Sequence, residues 1–218
     1  MYALRTKLSF VLVLICGCGI AQQPLPVAPV AAPDPVRCDV QVYCILGLWN
    51  VFSTGLYDLS NALRAVGIPA SAVSDTDYQM LANDIVNERV STNDRRPLVL
   101  VGHSYGADDC LRVAEIMQKA GLNVDLVILL DSTSPPPVPA NIDRCVDYFV
   151  PGVLGETLPE LMPGHPVSLA DGNTHTILIN TPLSPDLGPD YADIGHLNID
   201  KNAALHRQVQ LEIQKLCN

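Results

Sequence analysis

From Asp39 onward, short apolar runs of strand length alternate with amphipathic segments, and each run ends in turn residues. This alternation is typical of strands that pair in parallel and are joined by helices. The pattern predicts an α/β fold, in which helices cover both faces of a mostly parallel central sheet of about six strands. The predicted strands are 40–46, 70–73, 98–101, 124–130, 146–150 and 176–180. The predicted helices are 56–66, 78–90, 104–120 and 203–216.

The size and charge of the chain limit what it can be. Of its 218 residues, 48% are hydrophobic, which suffices for one sizeable core. We therefore predict a single folded domain over 38–218, without internal repeats. The formal net charge is −10, and such an acidic chain is a poor partner for nucleic acid or for anionic lipid headgroups.

The first 21 residues have the pattern of a targeting segment. Arg5 and Lys7 precede an apolar run over 8–20. This run is shorter than the stretch of about 20 apolar residues that a membrane-spanning helix needs. We therefore expect an exported protein, either periplasmic or secreted.

Two processing routes are open for this segment. Cleavage after Ala21 would remove a signal peptide, whereas a lipobox-like cut before Cys18 would remove 1–17 and leave a lipidated cysteine at the mature N-terminus. Cys16 departs from the lipoprotein pattern at its position. The following segment, 22–37, holds five prolines and favours an extended spacer. It would tether the domain to a membrane through Cys18, or form a disordered N-terminus without an anchor.

Five cysteines follow this segment: Cys38, Cys44, Cys110, Cys145 and Cys217. An oxidising compartment permits disulfides, but an odd number leaves at least one thiol free or paired with another molecule. If 38–44 is a strand, its two cysteines lie roughly 20 Å apart and cannot pair with each other. The spacing of cysteines and histidines does not suggest a metal site.

The candidate nucleophile is Ser104, in the sequence Gly102-His103-Ser104-Tyr105-Gly106. This glycine-bounded serine matches the nucleophile-elbow pattern, which alone occurs often by chance. Here it directly follows the most apolar predicted strand and opens an amphipathic helix, which is the context that the pattern requires. The helix N-terminus would direct backbone N–H groups at a developing oxyanion.

A serine hydroxyl needs a base within hydrogen-bonding reach, and we predict His196. It follows the last predicted strand, where a loop can bring its ring over the sheet edge to the serine. The rival histidines are His103, expected to point away from the site, and His165, His175 and His206, whose positions fit less well.

The third group should be a carboxylate that orients the imidazole, and we predict Asp131. It ends the strand after the nucleophile helix, at the carboxyl edge of the sheet where ligands bind in open α/β folds. Alternatives around the next strand are Asp147, Glu156 and Glu160. Alternatives close to His196 in sequence, but without a strand end to fix them, are Asp186, Asp190 and Asp193.

The segment 98–136 resembles the α/β-hydrolase superfamily, and within it thioesterase-like and lipase-like serine hydrolases. In thioesterase-like domains the strand after the nucleophile helix ends in Leu-Asp, and that aspartate is the triad acid. The resemblance implies Ser104 as nucleophile, Asp131 as acid and His196 as base. Asp108 and Asp109 depart from the small or apolar residues usual in relatives, and we interpret them as structural because carboxylates suit the first turn of a helix.

Two backbone N–H groups should form the oxyanion hole. Tyr105 would supply one. The other should come from the loop after the first strand, from Leu48 or alternatively Trp49. The segment 151–166, rich in proline, glycine and apolar residues, would form either an apolar lid or a surface connection.

The expected activity is hydrolysis of a carboxylic ester or thioester through an acyl-enzyme, with no cofactor or metal. Because carrier-protein and coenzyme A thioesters are intracellular, export favours small-molecule or lipid esters as substrates. The alternative is a non-catalytic envelope lipoprotein that uses the fold as a binding or scaffold module.

Overall fold

The computed structural model describes residues 38–47, 53–74, 77–151 and 164–217. The predicted signal segment, its cleavage sites at Cys18 and Ala21, and the proline-rich tether lie outside the described residues. So does most of the segment 151–166.

A six-stranded sheet forms the centre of the domain, and all of its neighbouring strands pair in parallel. The strand order is β2-β1-β3-β4-β5-β6. In chain order the strands are β1 Gln41–Ile45, β2 Ala70–Val73, β3 Leu98–His103, β4 Val124–Leu130, β5 Ile142–Phe149 and β6 Ile177–Pro182. Strand β3 lies inside the sheet and every one of its residues is buried, as the apolar run 98–101 predicts for its first four residues.

Within the described ranges, four helices cover the sheet: α1 Gly55–Ala65, α2 Tyr78–Thr92, α3 Tyr105–Lys119 and α4 Ala203–Gln214. The core residues Leu59 of α1 and Val209 of α4 belong to one buried cluster, and Ile85 of α2 and Met117 of α3 belong to another. The sheet separates two cores, so the predicted α/β architecture with helices on both faces is confirmed. Among the described residues, no helix combines the length and apolarity needed to cross a bilayer.

Strand β5 begins four residues earlier than the sequence predicts. Asp143 and Arg144 interrupt the apolar pattern there, and they are exposed and half-buried respectively. The backbone pairs with β4 regardless, beginning with Val124 opposite Ile142. Backbone hydrogen bonds to a neighbouring strand do not require an apolar side chain at each position. An apolar run in the sequence therefore predicts only the buried part of a strand.

A disulfide joins Cys38, just before β1, to Cys217, just after α4, with their Cα atoms 4.6 Å apart. Cys38 and Cys44 do not pair, as predicted, and of the cysteines that the structure describes three are buried free thiols: Cys44, Cys110 and Cys145. Because the bridge closes a loop of 179 residues, chain-entropy arguments allow it to stabilise the fold by about 5 kcal/mol.

Candidate active site

Ser104 occupies a sharp turn between β3 and α3. Its backbone has φ 59° and ψ −127°, a region that residues with side chains rarely adopt. Glycine on either side makes the turn feasible: a Cβ on Gly102 would lie 2.2 Å from the carbonyl oxygen of Gly106, and one on Gly106 would lie 2.2 Å from that of Ile45. The two glycines of the motif therefore let strand and helix approach closely, and this fixes the serine at the helix N-terminus.

Three side chains that are distant in sequence meet at this turn. His196 Nε2 lies 3.1 Å from Ser104 Oγ, and His196 Nδ1 lies 2.8 Å from Asp131 Oδ2. Because a carboxylate can only accept hydrogen bonds, His196 Nδ1 carries the proton. The unprotonated Nε2 then accepts a hydrogen bond from the Ser104 hydroxyl. The exposed fractions are 7%, 8% and 2% for Ser104, His196 and Asp131, so the chain of hydrogen bonds is largely shielded from bulk water.

Asp131 is held by the neighbouring strand as well as by the histidine. It follows the last residue of β4 and has a positive φ of 51°. Its N–H donates to the carbonyl of Tyr148 at 2.8 Å, and its Oδ1 accepts from the N–H of Val150 at 2.9 Å. One carboxylate oxygen is therefore fixed by the backbone, and the other faces His196.

Among the alternative acids that the structure describes, none is hydrogen-bonded to the His196 ring. Asp147 is fully buried in β5, where it accepts from the N–H of Val167 at 3.3 Å, and burial raises its pKa to about 7. Asp186, Asp190 and Asp193 are exposed. Glu156 and Glu160 lie outside the described residues.

The rival histidines have other partners or lie at the surface. His175 bonds Asp143 at 2.8 Å, His206 bonds the carbonyl of Asp200 at 2.5 Å, and His165 is exposed. His103 is fully buried, and its two ring nitrogens bond Ser53 Oγ and the carbonyl of His196. The His103 ring therefore is not hydrogen-bonded to Ser104, which agrees with the prediction that it points away. Its hydrogen-bond partners were not predicted.

One of the two predicted oxyanion donors can be located. Tyr105 is the first residue of α3, so its N–H has no acceptor within the helix. Leu48 and Trp49 lie outside the described residues. The preceding Gly47 packs against Ser104, because a Cβ there would lie 3.0 Å from Ser104 Cβ. The loop that should supply the second donor thus begins beside the serine.

Asp108 holds the loop that follows Asp131. Its buried carboxylate accepts from the N–H of Thr133 at 2.9 Å, from the Thr133 hydroxyl at 2.5 Å and from the N–H of Ser134 at 2.9 Å. The helix-dipole interpretation of Asp108 did not predict these bonds. The only sequence feature that pointed to them was the unusual acidic residue in the first turn of α3. Asp109 instead pairs with Arg112 at 2.6 Å.

Among the described residues, no group of three or more histidine, cysteine, aspartate or glutamate side chains is arranged to hold a metal ion.

No protein-family model matches this sequence, and no curated protein matches it significantly. Solved structures do resemble it. An arylesterase superimposes with a TM-score of 0.53 at 9% identity, covering 83% of this chain and 77% of the arylesterase. The RedJ thioesterase of the prodiginine biosynthetic pathway in Streptomyces coelicolor has a TM-score of 0.49 at 12% identity, covering 88% of this chain and 96% of the thioesterase. At such identities the likeness concerns the fold alone. The six-stranded parallel sheet with helices on both faces is the α/β-hydrolase fold.

Proposed function

We propose that this protein is a serine hydrolase that cleaves carboxylic ester or thioester bonds, with Ser104 as nucleophile, His196 as base and Asp131 as acid. The proposal is carried by one observation, the hydrogen-bond chain from Ser104 Oγ through the His196 ring to Asp131 Oδ2. A serine is activated when its hydroxyl is hydrogen-bonded to a base and a third group orients that base. The fold is shared with a protein named as an esterase.

In the proposed reaction, His196 Nε2 takes the proton of Ser104 while Oγ attacks the substrate carbonyl carbon. The negative charge that forms on the carbonyl oxygen is stabilised by the N–H of Tyr105 and by the α3 N-terminus. The protonated His196 then gives its proton to the leaving alcohol or thiol, and an acyl-Ser104 ester forms. A water molecule, deprotonated by His196, hydrolyses this ester and restores the enzyme.

Two large, exposed side chains directly follow the serine and the histidine in sequence. Tyr105, after the proposed nucleophile, is 39% exposed, and Leu197, after the proposed base, is 48% exposed. Exposed apolar groups next to the reacting residues would suit substrates with an apolar acyl or alcohol group. We therefore propose small-molecule or lipid esters as substrates.

We also propose that the protein is exported. The targeting pattern of the first 21 residues motivates this assignment, and the Cys38–Cys217 disulfide supports it, because disulfides persist in oxidising compartments. The mass of the mature N-terminus tests it and also decides between the two processing routes. A diacylated Cys18 means a membrane-anchored lipoprotein, a free Gln22 means a soluble product, and an intact Met1 on protein from the native host contradicts export.

Covalent labelling with a fluorophosphonate probe tests the activity. We expect the wild type to be labelled and Ser104→Ala to lose the label completely. Ser60→Ala is the matched control, because Ser60 is a buried serine on α1 whose hydroxyl bonds the carbonyl of Tyr57. This control should be labelled like the wild type. A folded but unlabelled wild type would contradict the proposal and favour the non-catalytic scaffold.

Ester and thioester substrates of increasing acyl length, assayed with the wild type and with His196→Ala, define the substrate class. We expect hydrolysis that rises with apolar chain length and is lost in His196→Ala. Faster hydrolysis of thioesters than of matched esters would contradict the preference for esters.

A further inference from the structure

His103 lies next to the nucleophile in sequence, and the proposed chemistry does not use it. It is fully buried. Its ring centroid is 5.1 Å from that of His196, and the two ring planes are tilted by 40°. Nδ1 lies 2.8 Å from Ser53 Oγ, and Nε2 lies 2.8 Å from the backbone carbonyl of His196. Both ring nitrogens of this buried histidine are therefore bonded.

The direction of each hydrogen bond follows from these partners. A carbonyl oxygen can only accept, so Nε2 carries the proton and donates to His196. Nδ1 of the neutral ring must then accept, and the Ser53 hydroxyl donates to it. Ser53 Oγ in turn accepts from the N–H of Gly47 at 2.8 Å. Burial and the neighbouring His196 lower the pKa of His103 to about 4, so the ring is neutral near pH 7, as this chain of bonds requires.

The two ends of this chain of bonds, Gly47 and His196, both lie close to Ser104. Gly47 packs against Ser104 Cβ and precedes the loop predicted to supply an oxyanion donor. His196 carries the base. A second contact links the same two regions, because Asp200 Oδ2 accepts from the N–H of Gly55 at 2.8 Å. The base loop and the segment after β1 are thus joined through buried polar side chains.

We propose that His103 is a positioning residue, which fixes the backbone of His196 and the two residues Gly47 and Ser53 relative to Ser104 through this chain of hydrogen bonds. The inference rests on the proposed function of Ser104 and His196. His103 does not touch the reacting atoms; it determines where the base and the start of the oxyanion loop sit. Displacement of a catalytic group by about 1 Å can reduce a rate about 100-fold.

Two substitutions separate the hydrogen bonds from the volume of the ring. His103→Phe keeps the approximate volume and removes both bonds. His103→Gln keeps an N–H that can donate to the His196 carbonyl. With a short-chain ester, we expect kcat of His103→Phe to fall about 10- to 100-fold while KM changes less than about twofold. We expect His103→Gln to recover at least part of that loss.

His206→Phe is the matched control. His206 also bonds a backbone carbonyl of the base loop, that of Asp200, at 2.5 Å. Asp200 lies four residues beyond His196 and outside the proposed chemistry. We expect kcat of His206→Phe to stay within about twofold of the wild type. A wild-type kcat in His103→Phe, or an equal loss in His206→Phe, would overturn the proposal.

Hydrogen exchange gives a readout that does not depend on activity. The N–H groups of Asn198 and Ile199 donate to the carbonyl of Gly195 at 3.1 and 2.9 Å, so they report on the turn that carries His196. We expect these amides to exchange faster in His103→Phe and not in His206→Phe. Unchanged exchange in a folded His103→Phe contradicts the positioning role, whereas a folded wild type without esterase activity contradicts only the proposed function.

Ser53→Ala tests the chain of bonds if His103→Phe does not fold. It removes the donor to His103 Nδ1 and the acceptor of the Gly47 N–H, and it leaves the bond to the His196 carbonyl. We expect a smaller loss of kcat than in His103→Phe, about threefold to tenfold. Wild-type kcat in Ser53→Ala would overturn the proposal.

Discussion

Asp131 and His196 are 65 positions apart in the chain, yet the carboxylate Oδ2 lies 2.8 Å from the imidazole Nδ1. The aspartate follows β4, and the histidine lies in the loop after β6. The backbone N–H of Val150 holds the other carboxylate oxygen at 2.9 Å. Asp131 is therefore oriented by the backbone, and it selects the tautomer of His196 that leaves Nε2 free to accept a proton.

Replacement of this acid should affect catalysis far more than folding. Asp131→Asn retains an oxygen for the Val150 N–H, but an amide cannot serve as an anionic acceptor for Nδ1–H, so the other tautomer is favoured. We expect kcat to fall by about 10³ to 10⁴ with the far-ultraviolet circular dichroism unchanged. Steady-state ester hydrolysis measures the loss. A folded Asp131→Asn with more than a tenth of wild-type kcat would contradict the assigned role of Asp131.

Asp108 should matter for stability, because it bonds the loop after Asp131. Asp108→Asn replaces an acceptor of three hydrogen bonds by a group that also carries two donors, and we expect a loss of about 2 kcal/mol in the free energy of unfolding. Asp58→Asn is the control, since Asp58 is exposed in the first turn of α1. In Asp58→Asn only the interaction of the side chain with the helix dipole is affected. Its free energy of unfolding should therefore fall by less than about 1 kcal/mol. Urea unfolding measures both, and equal losses would restore the helix-dipole interpretation of Asp108.

The buried Asp147 should make stability depend on pH. Burial is the main cause that raises its pKa to about 7 in the folded state, from an ordinary value of 3.8. Between these values the folded state binds more protons than the unfolded state, so this carboxyl group lowers stability as the pH rises from about 4 to about 7. Asp147→Asn cannot ionise, and we expect its stability relative to the wild type to be higher at pH 8 than at pH 5. Urea unfolding of both proteins at pH 5 and pH 8 tests this expectation. If Asp147→Asn and the wild type differ in free energy of unfolding by the same amount at both pH values, the expectation is contradicted.

The disulfide should contribute strongly to stability. Cys38→Ser with Cys217→Ser removes a bridge across 179 residues, and we expect a loss of about 2–5 kcal/mol in the free energy of unfolding. A reducing agent should destabilise the wild type by a similar amount and leave the double variant unchanged. A double variant as stable as the oxidised wild type would contradict the expectation.

The sequence predicts those parts of the molecule that depend on short stretches of chain. The strand, turn and helix around Ser104 follow from an apolar run, two glycines and helical spacing, all within about twenty residues. Asp131 could be chosen because parallel strands bring their carboxyl ends to one edge. His196 could be chosen from its order in the chain. Their catalytic roles stay predictions, which the substitutions above test.

Contacts between distant segments could not be predicted, because no pattern in the sequence indicates them. The Ser53–His103 and His103–His196 bonds join residues 50 and 93 positions apart, and neither serine nor histidine signals a partner by its spacing. Asp108 reaches its partners across 25 or 26 positions. The pairing of Cys38 with Cys217 likewise depends on where the two ends of the folded chain come together.

The bridge between Cys38 and Cys217 turns the intervening polypeptide into a covalent ring. A protease that cuts one peptide bond anywhere within this ring produces two fragments that remain linked through sulfur. Under oxidising conditions a single nick therefore cannot release either fragment, and the nicked halves keep a high effective concentration for reassembly. If the protein is exported as proposed, the bridge would keep together a chain that a single cut by an extracellular protease would otherwise separate.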